Sequence, residues 1–267
     1  MSTRWDPNQY AKFADERSRP FYELTARVRA EAPHLVVDLG CGNGPLTLAL
    51  AQRWPDARVV GVDSSQQMLD AAHALDPDGR VEWIRADLAV WDIDELGARP
   101  DVIVTNAVLQ WIPNHLKLLP TWVDALAPGG WLALQVPGNF SAPSHRLMRE
   151  VAARQPRAGE LLAALERGGS AEPATYLQLL TRASCVVDAW ETTYLHLLDP
   201  AGEQSDPVLE WVRSTGLRPV IDLLTDAAER AAFVDAYAAE LRQAYPRTSA
   251  GVILPFRRIF SVCQRFA

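Results

Sequence analysis

Short aliphatic runs alternate with segments whose apolar positions recur at helical spacing through the first half of the chain. Leu35 to Leu39, Val59 to Val62, Val81 to Ala86, Val102 to Thr105 and the run after the Pro-Gly-Gly turn at 128 to 130 each predict a buried parallel strand. Between the first two, Leu46, Leu50 and Trp54 fall on one helix face, with Pro45 suited to the first helical position and Asn43 or Gly44 to the cap. Ser64 and Gln67 read as a capping box for a helix running through Leu75. Alternating β and α units of this kind build a doubly wound, mostly parallel sheet with right-handed crossovers. Beyond Pro137 the pattern changes. Residues 140 to 181 read as helices and loops, CVVDAWETTYLHLL as extended chain, and 211 to 244 as helix, with Gly216 as a stop and Thr225 as a cap. Val234, Tyr237, Ala238, Leu241 and Tyr245 form the apolar stripe of that last helix, and 258 to 264 reads as a final strand.

The first strand leads into glycines at 40, 42 and 44, so the loop is G-x-G-x-G. A dinucleotide fingerprint needs its third glycine where this chain has Pro45, which disfavours a nicotinamide cofactor. Asp63, at the tip of the second strand and 19 residues beyond Gly44, stands where an acid accepts hydrogen bonds from ribose hydroxyls. The pattern implies a nucleoside without a pyrophosphate.

VDLGCGNG followed by GVDSS resembles the first two motifs of class I S-adenosylmethionine-dependent methyltransferases. The resemblance implies S-adenosylmethionine as cofactor, S-adenosylhomocysteine as product, and a Rossmann-like, mostly parallel seven-stranded α/β sheet with a closing antiparallel strand pair. It implies a cofactor crevice around Asp38, Gly40, Cys41, Gly42, Asp63, Ser64, Met68, Asp87, Leu88, Asn106 and Trp111. In that crevice Asp63 takes the ribose diol, Met68 lies near the adenine, Asp87 accepts from the adenine amino group and Leu88 offers its N–H. Backbone around Asn106 takes the methionine end. Asn106-Ala107-Val108-Leu109 departs from the D/N-P-P-Y motif of amino-methyltransferases, which argues against amide or exocyclic-amine methylation.

The opening WDPNQYAKFADERSRP, together with HRLMREVA, TTYLH and WVRSTGLRP further on, resembles the trans-aconitate 2-methyltransferases across nearly the whole chain. That resemblance implies a small tricarboxylate acceptor esterified on one carboxylate. A trianion requires fixed cations, and Arg19, Arg146, Arg218 and Arg257 are the candidates, because the guanidinium fork matches a carboxylate. Tyr10, Trp111, Tyr194 and Trp211 are candidates for the acceptor's apolar wall and hydroxyl donors, and His145 for a base. An anionic acceptor needs alignment more than a base, so no catalytic residue is assigned with certainty. The expected organisation is a helical cap over 1–30, a cofactor-binding core over 31–140, a helical lid over 141–182 and 199–250, and closing strands over 183–198 and 251–267. Two alternatives stand beside this reading: another small acid or a malonyl thioester as acceptor, and a non-catalytic binder of the cofactor.

Composition narrows the picture. With 267 residues, 48% apolar and 22% charged, the chain can bury one sizeable core, or one core with an inserted subdomain. Net charge is −7 and no run of Lys or Arg marks a nucleic-acid or lipid surface. The absence of an 18-residue apolar run and the polar stretch Met1 to Tyr10 predict a cytoplasmic protein. Cys41, Cys185 and Cys263 lack metal-ligand spacing and read as free thiols, so no metal is expected.

Overall fold

The computed structural model describes residues 14–166, 169–213 and 215–267. In chain order the elements are α1 (Ala14–Thr25), β1 (Leu35–Leu39), α2 (Pro45–Arg53), β2 (Arg58–Asp63), α3 (Gln66–Leu75), β3 (Val81–Arg85), β4 (Val102–Asn106), α4 (Leu118–Ala125) and β5 (Trp131–Pro137). They continue as α5 (Pro143–Ala153), α6 (Ala158–Leu165), α7 (Pro173–Arg182), β6 (Cys185–Leu198), α8 (Pro207–Arg213), α9 (Arg218–Leu223), α10 (Ala227–Ala244), β7 (Arg247–Thr248) and β8 (Gly251–Arg265). Among the described residues no helix is long and apolar enough to cross a membrane.

The chain divides into two compact units. Among the described residues the core unit comprises 14–137, 169–192 and 258–267, and the helical unit comprises 138–166, 193–213 and 215–257. These bounds cut the chain differently from the expected 141–182 lid: α7 belongs to the core unit, where Tyr176 and Leu180 join the main apolar cluster. In the core the strand order is β3-β2-β1-β4-β5-β8-β6, with β1 to β5 parallel and β8 antiparallel to β5. The two-residue β7 pairs with β8 in addition to the seven strands expected. Leu35, Val37, Leu39, Ile103, Leu132, Leu134 and Ile259 bury one face with residues of α4 and α7. The opposite face runs through Asp38, Val104, Ala133 and Val262, which are register partners in successive strands. This is the face of α2, because Asp38 accepts from the Thr47 hydroxyl on that helix at 2.6 Å.

Two caps differ from expectation. The α3 cap is Ser65, whose hydroxyl accepts from the Met68 N–H, and the α10 cap is Asp226, which accepts from the N–H groups of Ala228 and Glu229. In the helical unit the helical stretch expected over 211–244, with its stop at Gly216 and cap at Thr225, begins at Pro207 and forms three helices, α8 to α10. Tyr237 Oη donates to the Ser144 carbonyl at 2.7 Å, and the Ser144 N–H donates to Tyr245 Oη at 3.0 Å, which pins the start of α5 to the apolar stripe of α10. Phe233 heads that stripe with Tyr237 one turn on, and Val234 is only half-buried.

Candidate active site

β1 ends in a loop built on left-handed glycines. Gly40, Gly42 and Gly44 have φ of 83°, 56° and 90°, conformations in which any other residue is strained. The N–H groups of Gly40 and Cys41 both reach the Val62 carbonyl, at 2.7 and 3.0 Å, so the loop is tied to the end of β2. Gly44 then caps α2 with Pro45 at its first turn. The absent side chains have different consequences. A Cβ on Gly40 would lie 2.1 Å from a Val108 methyl, whereas one on Gly42 would meet nothing within 4 Å among the described residues. Gly40 therefore lets the loop after β4 pack closely, and Gly42 leaves space open beside the loop.

Asp63 closes the loop. Its Oδ2 accepts from the Gly42 N–H and its Oδ1 from the Ser65 N–H, both at 2.9 Å. An ionised carboxylate offers about four lone-pair sites, so acceptor capacity is left on both oxygens. Asp38 lies deeper, 3% exposed in β1. Burial raises its pKa to about 7; the Thr47 hydroxyl opposes the shift and the Asp63 charge adds to it. Cys41 is buried beside both acids, and burial, then the Asp38 and Asp63 charges, push its thiol well above the usual range. The thiol stays neutral.

The raised Asp38 pKa has a measurable consequence. The folded chain keeps this proton where the unfolded chain has released it, so the group's contribution is full below the ordinary value of 3.8 and is lost as pH rises through about 7. Asp38→Asn is expected to flatten the decline in stability of the ligand-free protein across that window by about 1.4 kcal/mol per pH unit. Thermal melts of both chains from pH 4 to 7.5 measure the slope. Parallel profiles would assign the titration elsewhere.

The other expected cofactor residues gather on the same side of the core unit. Met68 is buried in the first turn of α3, and Ser64 sits between Asp63 and the helix cap with its carbonyl 3.4 Å from Arg85 Nε. Asp87 Oδ1 accepts from the Ala89 N–H at 3.0 Å, so this acid holds its own turn, and Leu88 is buried against the core. Asn106 ends β4 opposite Gln135, and Trp111 closes a short 3₁₀ turn over 109–111. Ala107 follows at φ 59°, a left-handed conformation that is strained for a residue with a Cβ. Its N–H donates to the Gln135 carbonyl and its carbonyl accepts from the Gln110 side chain, at 2.9 and 2.6 Å. Sequence reasoning missed Thr47, Val108, Gln110 and Gln135; the available signal for the last was an amide inside the apolar run LALQV.

The expected acceptor residues divide between the two units. Tyr10 lies outside the described residues. Arg19 pairs with Glu23 in the core unit, and Arg146 with Glu150 and Arg218 with Asp222 in the helical unit, at 2.8, 2.6 and 2.9 Å. Arg257 Nη1 lies 3.4 Å from the Gly138 carbonyl. His145 Nδ1 is 3.3 Å from Ser144 Oγ, its ring stands edge-on to Phe140, and it flanks Gly216. Trp211 is only 2% exposed, packed between His196 and Phe256 with ring centroids at 4.6 and 5.9 Å. Tyr194 is likewise buried and stacks on His196. Both aromatics pack in the helical unit's own core.

Comparison with known proteins places this arrangement. A family model described as a methyltransferase domain matches residues 10–180. A Streptomyces avermitilis protein named trans-aconitate 2-methyltransferase is 50% identical over 98% of this chain and 97% of its own length. A Rhodococcus jostii protein of the same name is 48% identical over 97% and 99%. Among solved structures, the YcgJ protein of Bacillus subtilis aligns with a TM-score of 0.60 at 13% identity, covering 93% of this chain and 99% of that one. The plantazolicin methyltransferase BpumL, solved in complex with SAH, aligns with a TM-score of 0.53 at 16% identity over 98% and 91%. Identity of this extent, carried on a G-x-G-x-G loop tied to Asp63 in a sheet of this order, means that the chain belongs to the trans-aconitate 2-methyltransferase family of class I methyltransferases.

Proposed function

We propose that this chain forms the monomethyl ester of trans-aconitate with S-adenosylmethionine as methyl donor. The observation that carries the cofactor half is Asp63, fixed by two backbone N–H groups with acceptor capacity remaining for a vicinal diol. The open side of Gly42 fits a nucleoside lying over the loop, and Pro45 leaves no third glycine for a pyrophosphate. Asp63 would hold the ribose, Met68, Asp87 and Leu88 the adenine, and Asp38, Gly40, Asn106 and Trp111 the methionine end. When bound, the sulfonium supplies an electrophilic methyl group that an anionic oxygen can take by in-line displacement. The chain's residues need only fix both partners and exclude water, because a carboxylate is already ionised. Cys41, held neutral by its buried acidic surroundings, does not compete for the methyl.

The acceptor half is supported by the names of the near-full-length relatives. Incubating the chain with labelled S-adenosylmethionine, trans-aconitate, a panel of other small acids and a malonyl thioester tests it directly. Label in a trans-aconitate ester is the expected result; label only in another acid, or none, overturns the acceptor assignment. Arg19, Arg146, Arg218 and Arg257 remain the proposed cations. Three of them already hold a carboxylate one helical turn on, in partly exposed pairs that contribute at most about 1 kcal/mol, so exchange for a ligand's carboxylate is not costly. Arg218→Ala is expected to raise the KM for trans-aconitate roughly tenfold, about 1.4 kcal/mol, with S-adenosylhomocysteine affinity unchanged, and Arg218→Lys to recover part of it. Unaltered steady-state kinetics in Arg218→Ala would make this residue a surface ion pair only.

A further inference from the structure

Gln135 sits near the carboxyl end of β5, 1% exposed, and among the described residues neither its Nε2 nor its Oε1 has a hydrogen-bond partner. An amide that is desolvated and unpaired is costly to the fold, and such groups are rare enough in native proteins to call for an explanation. Its surroundings point to a ligand. Gln135 is the register partner of Asn106 on β4 and of Phe260 on β8, so the three side chains share the α2 face of the sheet. Asn106 Oδ1 is also buried without a partner among the described residues, and the strained Ala107 that follows it is held by the Gln135 carbonyl. Two residues along β8 from Phe260 and on the same face, Arg258 places a guanidinium that is 8% exposed. A buried donor amide beside a buried cation is the chemistry that receives a carboxylate.

Strand order decides which ligand supplies it. The cofactor reading occupies the ends of β2, β1 and β4, where Asp63, the glycine loop and Asn106 lie. β5 is one strand further out, so Gln135 stands past the methionine end, roughly 14 Å from β2 at the usual strand spacing. We infer that Gln135 is a ligand of the acceptor, its Nε2 donating to an acceptor carboxylate whose charge is balanced by Arg258. This rests on the proposed carboxyl methylation. It adds a residue from the sheet of the core unit to the earlier candidates, of which Arg19, Arg146 and Arg218 lie on helices and Arg257 on β8.

Gln135→Leu and Gln135→Glu in the full chain test it, beside the unmodified protein. For Gln135→Leu the expected result is a melting temperature equal to or above that of the unmodified chain, S-adenosylhomocysteine affinity within twofold, and a KM for trans-aconitate raised at least tenfold. Gln135→Glu, which sets an anion against the acceptor, is expected to lose more in kcat/KM than Gln135→Leu does. An unchanged KM in both variants overturns the inference, as does a fall in melting temperature of Gln135→Leu without a kinetic change, the mark of an amide bridged by internal water. A loss of S-adenosylhomocysteine affinity matching the kinetic loss also overturns it, by assigning Gln135 to the cofactor. If the unmodified chain turns over another carboxylic acid in place of trans-aconitate, the acceptor reading falls and the same comparison on that acid decides the role of Gln135. If it methylates no carboxylate, both fall.

Discussion

Asp63→Ala is expected to bind S-adenosylhomocysteine at least a hundredfold more weakly than the unmodified chain. Two hydrogen bonds from a diol to a charged acceptor contribute about 1.5 kcal/mol or more each, and a hundredfold corresponds to about 2.8 kcal/mol. Asp63 also holds the N–H groups of Gly42 and Ser65, so its removal loosens the loop and the start of α3 together. A ligand that lacks the 2′ and 3′ hydroxyls separates the two effects. Against the unmodified chain that analogue should bind weakly, and against Asp63→Ala it should lose little more, because the interaction it lacks is the one the variant lacks. Calorimetry of both ligands against both chains, at a temperature where circular dichroism shows each folded, gives the cycle. Equal losses for the two ligands on mutation would mean that Asp63 acts through the loop alone and does not touch the ribose.

The β1-to-β5 half was legible in the sequence because its strands are short apolar runs that stop at residues of distinct chemistry. Leu39 precedes Gly40, Val62 precedes Asp63 and Thr105 precedes Asn106. The closing strands were less so. β8 begins at Gly251, at the edge of the expected 251–267 closing segment but seven residues before the strand pattern read over 258–264, and Pro255 lies inside it, where a proline ordinarily argues against a strand. The α3 cap shifted by one because Ser64 and Ser65 are chemically equal. What separates them is the Asp63 carboxylate taking the Ser65 N–H, a contact set by the loop's path. The ion pairs of Arg19, Arg146 and Arg218 were readable from acids four residues on, a spacing that reading for a substrate clamp passed over. Gln135 was visible as a polar residue in an apolar strand. Its alignment with Asn106 and Phe260 depends on the register of three strands, one of them antiparallel, which no local pattern carries.

Gly40→Ala and Gly42→Ala should fail in opposite ways, although both put a methyl on a left-handed glycine of one loop. At Gly40 the new Cβ lies 2.1, 2.8 and 3.0 Å from three atoms of Val108, a β-branched side chain with little rotamer freedom. Backbone strain of about 1 kcal/mol and overpacking of about 1–3 kcal/mol then add, so Gly40→Ala is expected to lower stability by about 3 kcal/mol. Trimming the neighbour in Gly40→Ala/Val108→Ala removes the clash and leaves the strain, so the pair should recover more than half of that loss, a coupling that denaturant titration of the four chains measures. At Gly42 nothing among the described residues stands within 4 Å, and only the backbone strain of about 1 kcal/mol should appear in stability. There the methyl projects into the open side of the loop, where the proposed nucleoside lies, and S-adenosylhomocysteine affinity should fall at least tenfold in a chain that melts near the unmodified temperature. The discriminating measurement is the pairing of the two assays: if Gly42→Ala binds S-adenosylhomocysteine as tightly as the unmodified chain while Gly40→Ala is destabilised, the loop is a packing device and the ligand lies elsewhere on the sheet.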